Sequence, residues 1–375
     1  MNFDFPDELK QLREEAKKFL RERCPLATPR RILEGEEPYD RVLWQEMAAM
    51  GWTGAAIPEE YGGAGLGHLA VCVLAEELGH AIAPVPFSSS VYLATEAILT
   101  FGSEAQRKEY LPKLASGETI GTFAFAEHFG ASDPRKLESR VADAKLSGTK
   151  IAVPDGDVAD IAIVAVRGTG NTPWLHVVDL HGPGVHRKTI ETFDPTRSHA
   201  RIVFDHAPVD ALAGGTGDSQ VRNLMDRAAV MMAFEQVGGA QAALEMARDY
   251  AVDRYAFGRP IGSFQAIKHK LADIYVAVEL ARSNAYYGAW ALHTDAAELP
   301  IAACVARIAA SDAGWLATKE NIQTHGGMGF TWQFDCHLYY RRAKLLSLAL
   351  GSPREWKHRL ADLLKARNIS THAAA

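Results

Sequence analysis

The chain has 375 residues, 47% of them hydrophobic and 23% charged, a composition that excludes disordered and collagen-like architectures. At about 150 residues per domain, this length supports two or three domains with sizeable cores. The net charge is −6, from 40 Lys and Arg against 46 Asp and Glu, without a basic block, so neither nucleic acid nor an anionic membrane is an expected partner.

The opening MNFDFPDELKQLREEAKKFL is acidic and amphipathic, with no apolar leader, and Leu9, Leu12, Ala16, Phe19 and Leu20 recur at helical spacing. A second helix is predicted over Tyr39–Met50, closed by Gly51, and a third over His68–Leu78, closed by Gly79. Ser103-Glu-Ala-Gln106 is a capping-box pattern opening a further helix, which Pro112 is expected to stop near Leu111. From Thr122 to about Val209 the apolar residues come instead in short β-rich runs: Thr122–Ala126, Ile161–Val166, Trp174–Leu180 and Arg201–Phe204. No ten-residue helix separates them, so an antiparallel sheet or barrel is expected and a βαβ unit is not.

Helical spacing returns after Gly214-Gly215-Thr216-Gly217. One long helix is expected over Gln220–Arg254, then others near 262–294, 299–325, 334–348 and 353–367. The order divides the chain into a helical segment 1–120, a β segment 121–215, a helical segment 216–368 and a frayed tail 369–375. Stretches such as 69–75 and 276–281 meet Glu well before 18 residues, so no membrane span is expected and a cytoplasmic location is. Four cysteines form no CxxC motif, and His176, His181 and His186 are separated by Gly182 and Gly184, so no metal site is expected.

Four motifs then stand in order along the chain. They are Ile57-Pro-Glu-Glu-Tyr-Gly-Gly-Ala-Gly-Leu66, Phe101-Gly-Ser-Glu-Ala-Gln106 with Tyr110-Leu-Pro-Lys-Leu-Ala-Ser-Gly-Glu118, Arg254-Tyr-Ala-Phe-Gly-Arg-Pro-Ile-Gly-Ser-Phe-Gln265, and Gln323-Thr-His-Gly-Gly-Met-Gly-Phe330. Together they resemble the acyl-CoA dehydrogenase family over nearly the whole chain. The resemblance implies a helical N-terminal domain, a central β-barrel and a C-terminal four-helix bundle. It also implies a homo- or hetero-oligomer holding FAD between subunits, an acyl-CoA substrate against the flavin, and electron transfer flavoprotein or another acceptor. The activity implied is α,β-dehydrogenation, with the α-proton going to a carboxylate and the β-hydride to flavin N5.

By the same resemblance, Arg254, Phe257 and Gln265 reach a partner subunit's FAD, and Gln323, Gly326 and Gly327 contact cofactor with His325 adjacent. Arg suits a pyrophosphate because its planar fork donates two parallel, charged hydrogen bonds. Glycines let backbone N–H groups approach a phosphate without a Cβ in the way. Phe125 and Ser132 align with flavin- or thioester-facing positions. Ala152 and Pro154 fall where relatives carry a stacking aromatic and a hydroxyl, and neither can replace them.

The two places from which the family supplies its catalytic Glu are Ala228 and Leu350 here. Two nearby carboxylates are candidate bases. Asp226 is rotated about 200° from Ala228 on a helix, and Glu235 returns to its face roughly 10 Å further along. Glu235 lies in an apolar stretch that would raise its pKa, which suits a base, and it equally suits a buried ion pair. Three readings follow: a dehydrogenase with its base at neither usual position, a non-catalytic companion subunit that clamps a partner's FAD, and a flavin oxidase or monooxygenase on the same scaffold.

Overall fold

The computed structural model describes residues 5–130 and 133–373. Among the described residues there are eleven α-helices: α1 Asp7–Arg23, α2 Ala27–Glu34, α3 Arg41–Ala49, α4 Gly67–His80, α5 Glu96–Phe101, α6 Glu104–Ala115, α7 Asp218–Asp253, α8 Gln265–His293, α9 Leu299–His325, α10 Cys336–Leu348 and α11 Pro353–Ala373. The main sheet holds β1 Gly121–Ala124, β2 Arg140–Ala142, β3 Lys145–Pro154, β4 Ile161–Arg167, β5 Pro173–Asp179, β6 Val185–Thr189, β7 His199–Pro208 and β8 Asp210–Thr216. A hairpin of β9 Tyr255–Ala256 and β10 Arg259–Pro260 follows α7. The chain thus runs helices, mixed sheet, helices, and it divides into two compact units.

One unit comprises Ile32–Val71 and Pro84–Ala228. Its sheet has the order β6-β7-β3-β2-β4-β5-β8, with β1 parallel to β4 and most other pairs antiparallel. β4 pairs without a break from Ile161↔Asp179 to Arg167↔Pro173. Its run Ile161–Val166 is buried throughout, which is why it reads as continuous apolar sequence instead of alternating. The fully buried π-helical turn Ser88–Thr95 has no counterpart in the predicted elements. It is tied to the sheet by Arg197, which pairs with Asp155 at 2.5 Å and donates to Ser88 at 2.9 Å, while Ser89 donates to Asp155 at 2.5 Å.

The predicted limits of α6 and α4 need correction. The capping box of α6 forms as expected, with Ser103 and Gln106 bonding reciprocally, yet the helix runs through Pro112 to Ala115. Pro112 and Lys108, whose carbonyl it deprives of a donor, are both exposed, so the freed group does not have to be buried. Helix α4 likewise passes through Gly79 to His80, because Gly79 lies at a helix crossing instead of a helix end.

The other unit comprises the residues up to Arg31, Cys72–Ala83 and Ala229 onward. Here α8, α9, α10 and α11 join the rest of α7 around an alanine-rich core. Helix α11 continues to Ala373, past residue 368 where a frayed tail was expected. The stretch Leu299–Phe330 is long and apolar enough to pass for a bilayer span, which the sequence reading did not find. More than half of its apolar window, 56%, is buried, and it carries the wholly buried Arg307, so it serves as a core helix of this bundle.

Candidate functional site

At one end of the bundle the structure collects most of the expected cofactor contacts. The ring of His325, last residue of α9, stacks on Tyr250 near the end of α7, with centroids 4.0 Å apart. Lys270 of α8 pairs with Glu320 of α9 at 2.6 Å. These two contacts place Arg254, Gln265, Gln323, Gly326 and Gly327 at the same end, and all five are exposed. A Cβ added at Gly326 or Gly327 would meet nothing within 4 Å, so their backbone faces open space. Gly326 also sits at φ +60°, which favours glycine.

His325 differs from its neighbours. It is 6% exposed, its Nδ1–H donates to the Asn321 carbonyl at 2.9 Å, and Phe334 packs on its edge. Burial holds its imidazole below the ordinary pKa, so the neutral ring acts as a spacer that fixes the helix ends. Phe257 is the opposite case. It is 95% exposed at the tip of the β9–β10 hairpin, where it and Gly258 both have positive φ, as a type I′ turn requires. Behind it Phe264 receives the edge of Phe257 and the guanidinium of Arg259, 4.1 Å from the ring centre. Phe257 thus stands in water on a backbone conformation that costs a non-glycine residue energy.

The donor set fits the pyrophosphate and polar rim of a dinucleotide: a permanently charged guanidinium, two side-chain amides and a bare Gly-Gly backbone. The sheet unit fits a flavin ring less well. Phe125 is half-buried and stacked on Phe123 at 5.8 Å, and Ser132 lies outside the described residues. Ala152 forms the bulge of β3 between Lys150 and Val153, at φ +48° and exposed, so it offers a methyl group where a ring would stack. The Pro154 carbonyl is occupied by the Thr122 hydroxyl at 2.5 Å.

The base positions are apolar and enclosed, with Ala228 0% and Leu350 5% exposed. Glu235 is 4% exposed in the bundle unit, 3.7 Å from the Arg342 guanidinium. Nearby, Arg307 donates to Gln236 and to the Leu346 carbonyl, and burial, opposed by the charge of Glu235, brings its pKa down to about 9. Asp226 is 1% exposed in the sheet unit.

Several buried carboxylates escaped the sequence reading, among them Glu96 and the side chain of Glu127. Glu96, inside the apolar run Ala94–Phe101, accepts from Arg227 at 2.5 Å and pairs with His68 at 2.9 Å. Burial pushes its carboxyl up, but His68 and Arg227 more than offset this and hold it at about 2. A charge so firmly held is a poor proton acceptor. Glu127 is bound to Lys150 at 2.7 Å, a pairing between β1's exit and β3 that no local spacing announces.

Two family models match the chain, the acyl-CoA dehydrogenase N-terminal domain over residues 6–118 and the acyl-CoA dehydrogenase C-terminal domain over residues 207–354. The chain is 34% identical to acyl-CoA dehydrogenase IpdE2 of Mycobacterium tuberculosis, covering 95% of this chain and 96% of that protein. It is similar to the solved Tcur3481-Tcur3483 steroid ACAD variant, with 32% identity, a TM-score of 0.88, and 98% and 99% of the two chains covered. It is also similar to a chain of the ChsE4-ChsE5 complex of Mycobacterium tuberculosis, with 28% identity, a TM-score of 0.89, and 97% and 99% covered.

Proposed function

The chain belongs to the acyl-CoA dehydrogenase family, whose members bind FAD, and on that premise we propose that it is the FAD-clasping companion subunit of a heteromeric acyl-CoA dehydrogenase. One observation carries this reading. Arg254, Gln265, Gln323, Gly326 and Gly327, the residues expected to hold the cofactor, are exposed at one end of the bundle, whereas both family base positions are buried and apolar. Two similar structures, Tcur3481-Tcur3483 and ChsE4-ChsE5, bear the names of two chains each, which supports a heteromeric assembly. The first is called a steroid ACAD, so the substrate we assign to the assembly is a CoA thioester with a bulky, polycyclic acyl group.

Bound FAD supplies the acceptor for the β-hydride of the thioester. This chain's part is to bind and orient. Arg254 neutralises the pyrophosphate, Gln265 and Gln323 donate and accept at its polar rim, and the N–H groups of Gly326 and Gly327 approach without side-chain interference. Phe257 covers an apolar face across the subunit boundary. The partner chain supplies the carboxylate that removes the α-proton, because a thioester α-proton does not leave without a positioned base. Electron transfer flavoprotein is the acceptor proposed for the reduced assembly.

A second reading has α7 itself provide the base, from Asp226 or Glu235, in a self-sufficient enzyme. The visible spectrum of the purified chain separates the two. The companion reading expects a colourless protein that becomes yellow only with a family chain bearing the catalytic Glu. If the chain alone retains FAD and an acyl-CoA bleaches it without oxygen, the companion reading fails. Glu235→Gln and Asp226→Asn then assign the base, whose loss lowers the rate by roughly 10²–10⁴-fold. Within the assembly, Arg254→Ala is expected to weaken FAD binding by about 10–100-fold, the loss of one charge-assisted contact. Equilibrium titration of the apo-assembly with FAD measures this, and an unchanged dissociation constant removes Arg254 from the clasp.

A further inference from the structure

We propose that Lys150 and Glu127 form a buried clamp that positions the two ends of the connection between β1 and β2, Phe125–Glu127 and Glu138–Ser139, the first of which is expected to face the flavin. The clamp stands on geometry alone, and only what the segment faces rests on the function proposed above.

The Lys150 side chain is 0% exposed and Glu127's is 6% exposed. An ammonium has three protons, and Lys150 spends them on three partners: the Phe125 carbonyl at 3.2 Å, the Ala165 carbonyl at 2.6 Å and the Glu127 carboxylate at 2.7 Å. Glu127 in turn accepts the backbone N–H of Ser139 at 3.0 Å and of Glu138 at 2.5 Å. One lysine on β3 therefore fixes the chain leaving β1, the middle of β4 and, through Glu127, the chain about to enter β2. The Ile151 N–H adds a bond to the Ala126 carbonyl at 2.8 Å. Both ends of the intervening loop are thus pinned to the same point of β3.

Burying this pair is costly. Desolvation brings the Lys150 ammonium down to about 8 even with Glu127 opposing the shift. Replacing a buried ion pair by apolar side chains of similar volume is often neutral or stabilising, so burial alone is weak evidence that the pair stabilises the sheet. Apolar side chains cannot supply directed bonds to one carbonyl and two amides at the ends of a loop. A positioning role explains that geometry and a packing role does not.

The test compares Lys150→Met, the double variant Glu127→Met with Lys150→Met, and Glu127→Gln, by thermal unfolding and amide hydrogen exchange. Lys150→Met alone is expected to lower the unfolding temperature, since it leaves a buried carboxylate uncompensated. The double variant is expected to recover that temperature while amides between 125 and 139 still exchange at least tenfold faster than in the wild type. Glu127→Gln, which preserves volume, is expected to show the same localised acceleration, concentrated at 138 and 139. In the FAD-bound assembly, the double variant is expected to raise the FAD dissociation constant about tenfold. Wild-type exchange over 125–139 in the double variant overturns the clamp. Because exchange needs no cofactor, a failure of the FAD measurement in every protein, wild type included, counts against the proposed function and leaves the exchange result to decide the clamp.

Discussion

Gly238→Ala is expected to destabilise the helical bundle by about 3 kcal/mol, the upper part of the usual range for overpacking. A Cβ at Gly238 would lie 1.8 Å from the Glu76 carbonyl oxygen and 2.9 Å from the His80 nitrogen. Reciprocally, a Cβ at Gly79 would lie 1.9 Å from the Glu235 carbonyl oxygen. The obstacles are helix backbone, which cannot rotate away as a side-chain tip can, so α4 and α7 must separate. That separation also disturbs Glu235 and the Arg342 guanidinium beside it. Gly239→Ala is the internal control. Its Cβ would approach nothing nearer than the Gly79 carbonyl oxygen at 3.4 Å, and alanine is favoured over glycine in a helix by up to about 1 kcal/mol. It is therefore expected to be neutral or mildly stabilising. Denaturant unfolding of both variants gives the comparison, and equal effects would show that the crossing is not held at backbone contact.

The same crossing shows where the sequence was legible and where it was not. Gly79 reads as a helix stop because glycine usually marks one, and nothing local reveals a second helix pressed against it. Helices α7 to α10 are readable to within a few residues, since their apolar spacing is sustained over many turns. The buried turn Ser88–Thr95 and the short, mostly buried helix α5 are not, because residues buried on nearly every side leave little period to detect. Sheet position is readable for β4, whose apolar run is continuous, and for β5, where His176 alone interrupts it, and not for the polar, mostly exposed β2 and β6. Arg254, Gln265, Gln323 and Gly326-Gly327, proposed above as cofactor contacts, lie in compact motifs, so the sequence singles them out as a group. That His325 points inward was not, since its partner Tyr250 belongs to another helix. For Glu235, the apolar neighbours Met231–Phe234 announce burial, but Arg342 is too distant in sequence for any pattern to pair them. The pairing of Lys150 with Glu127 is hidden for the same reason.

Glu77→Gln is expected to stabilise the protein by about 2–3 kcal/mol at pH 8 and to leave it nearly unchanged at pH 4.5. Helix α4 presents two adjacent acids to the bundle, and the cations divide unequally between them. Arg13 and Arg282 bond Glu76 at 2.9 and 3.0 Å, while Glu77 keeps only a 3.7 Å approach to Arg13. Burial first, and then the charge of Glu76, push the Glu77 carboxyl up from 4.5 to about 7, against the pull of Lys17, His80 and Arg13. The folded protein therefore holds this proton more tightly than the unfolded chain. The stability so gained is fully present below pH 4.5 and is lost as pH rises through 7. A shift of this size corresponds to roughly 3 kcal/mol at 1.36 kcal/mol per unit. Glutamine stays neutral at every pH and escapes the penalty, less a small loss from the Arg13 contact. His176, His199, His325 and His337, all held low by burial, add a slope of opposite sign over part of this window. They titrate alike in both proteins, so the variant-minus-wild-type difference isolates Glu77. Unfolding free energies measured from pH 4.5 to 8 should show that difference growing with pH, and a constant difference would mean that Glu77 is ionised throughout.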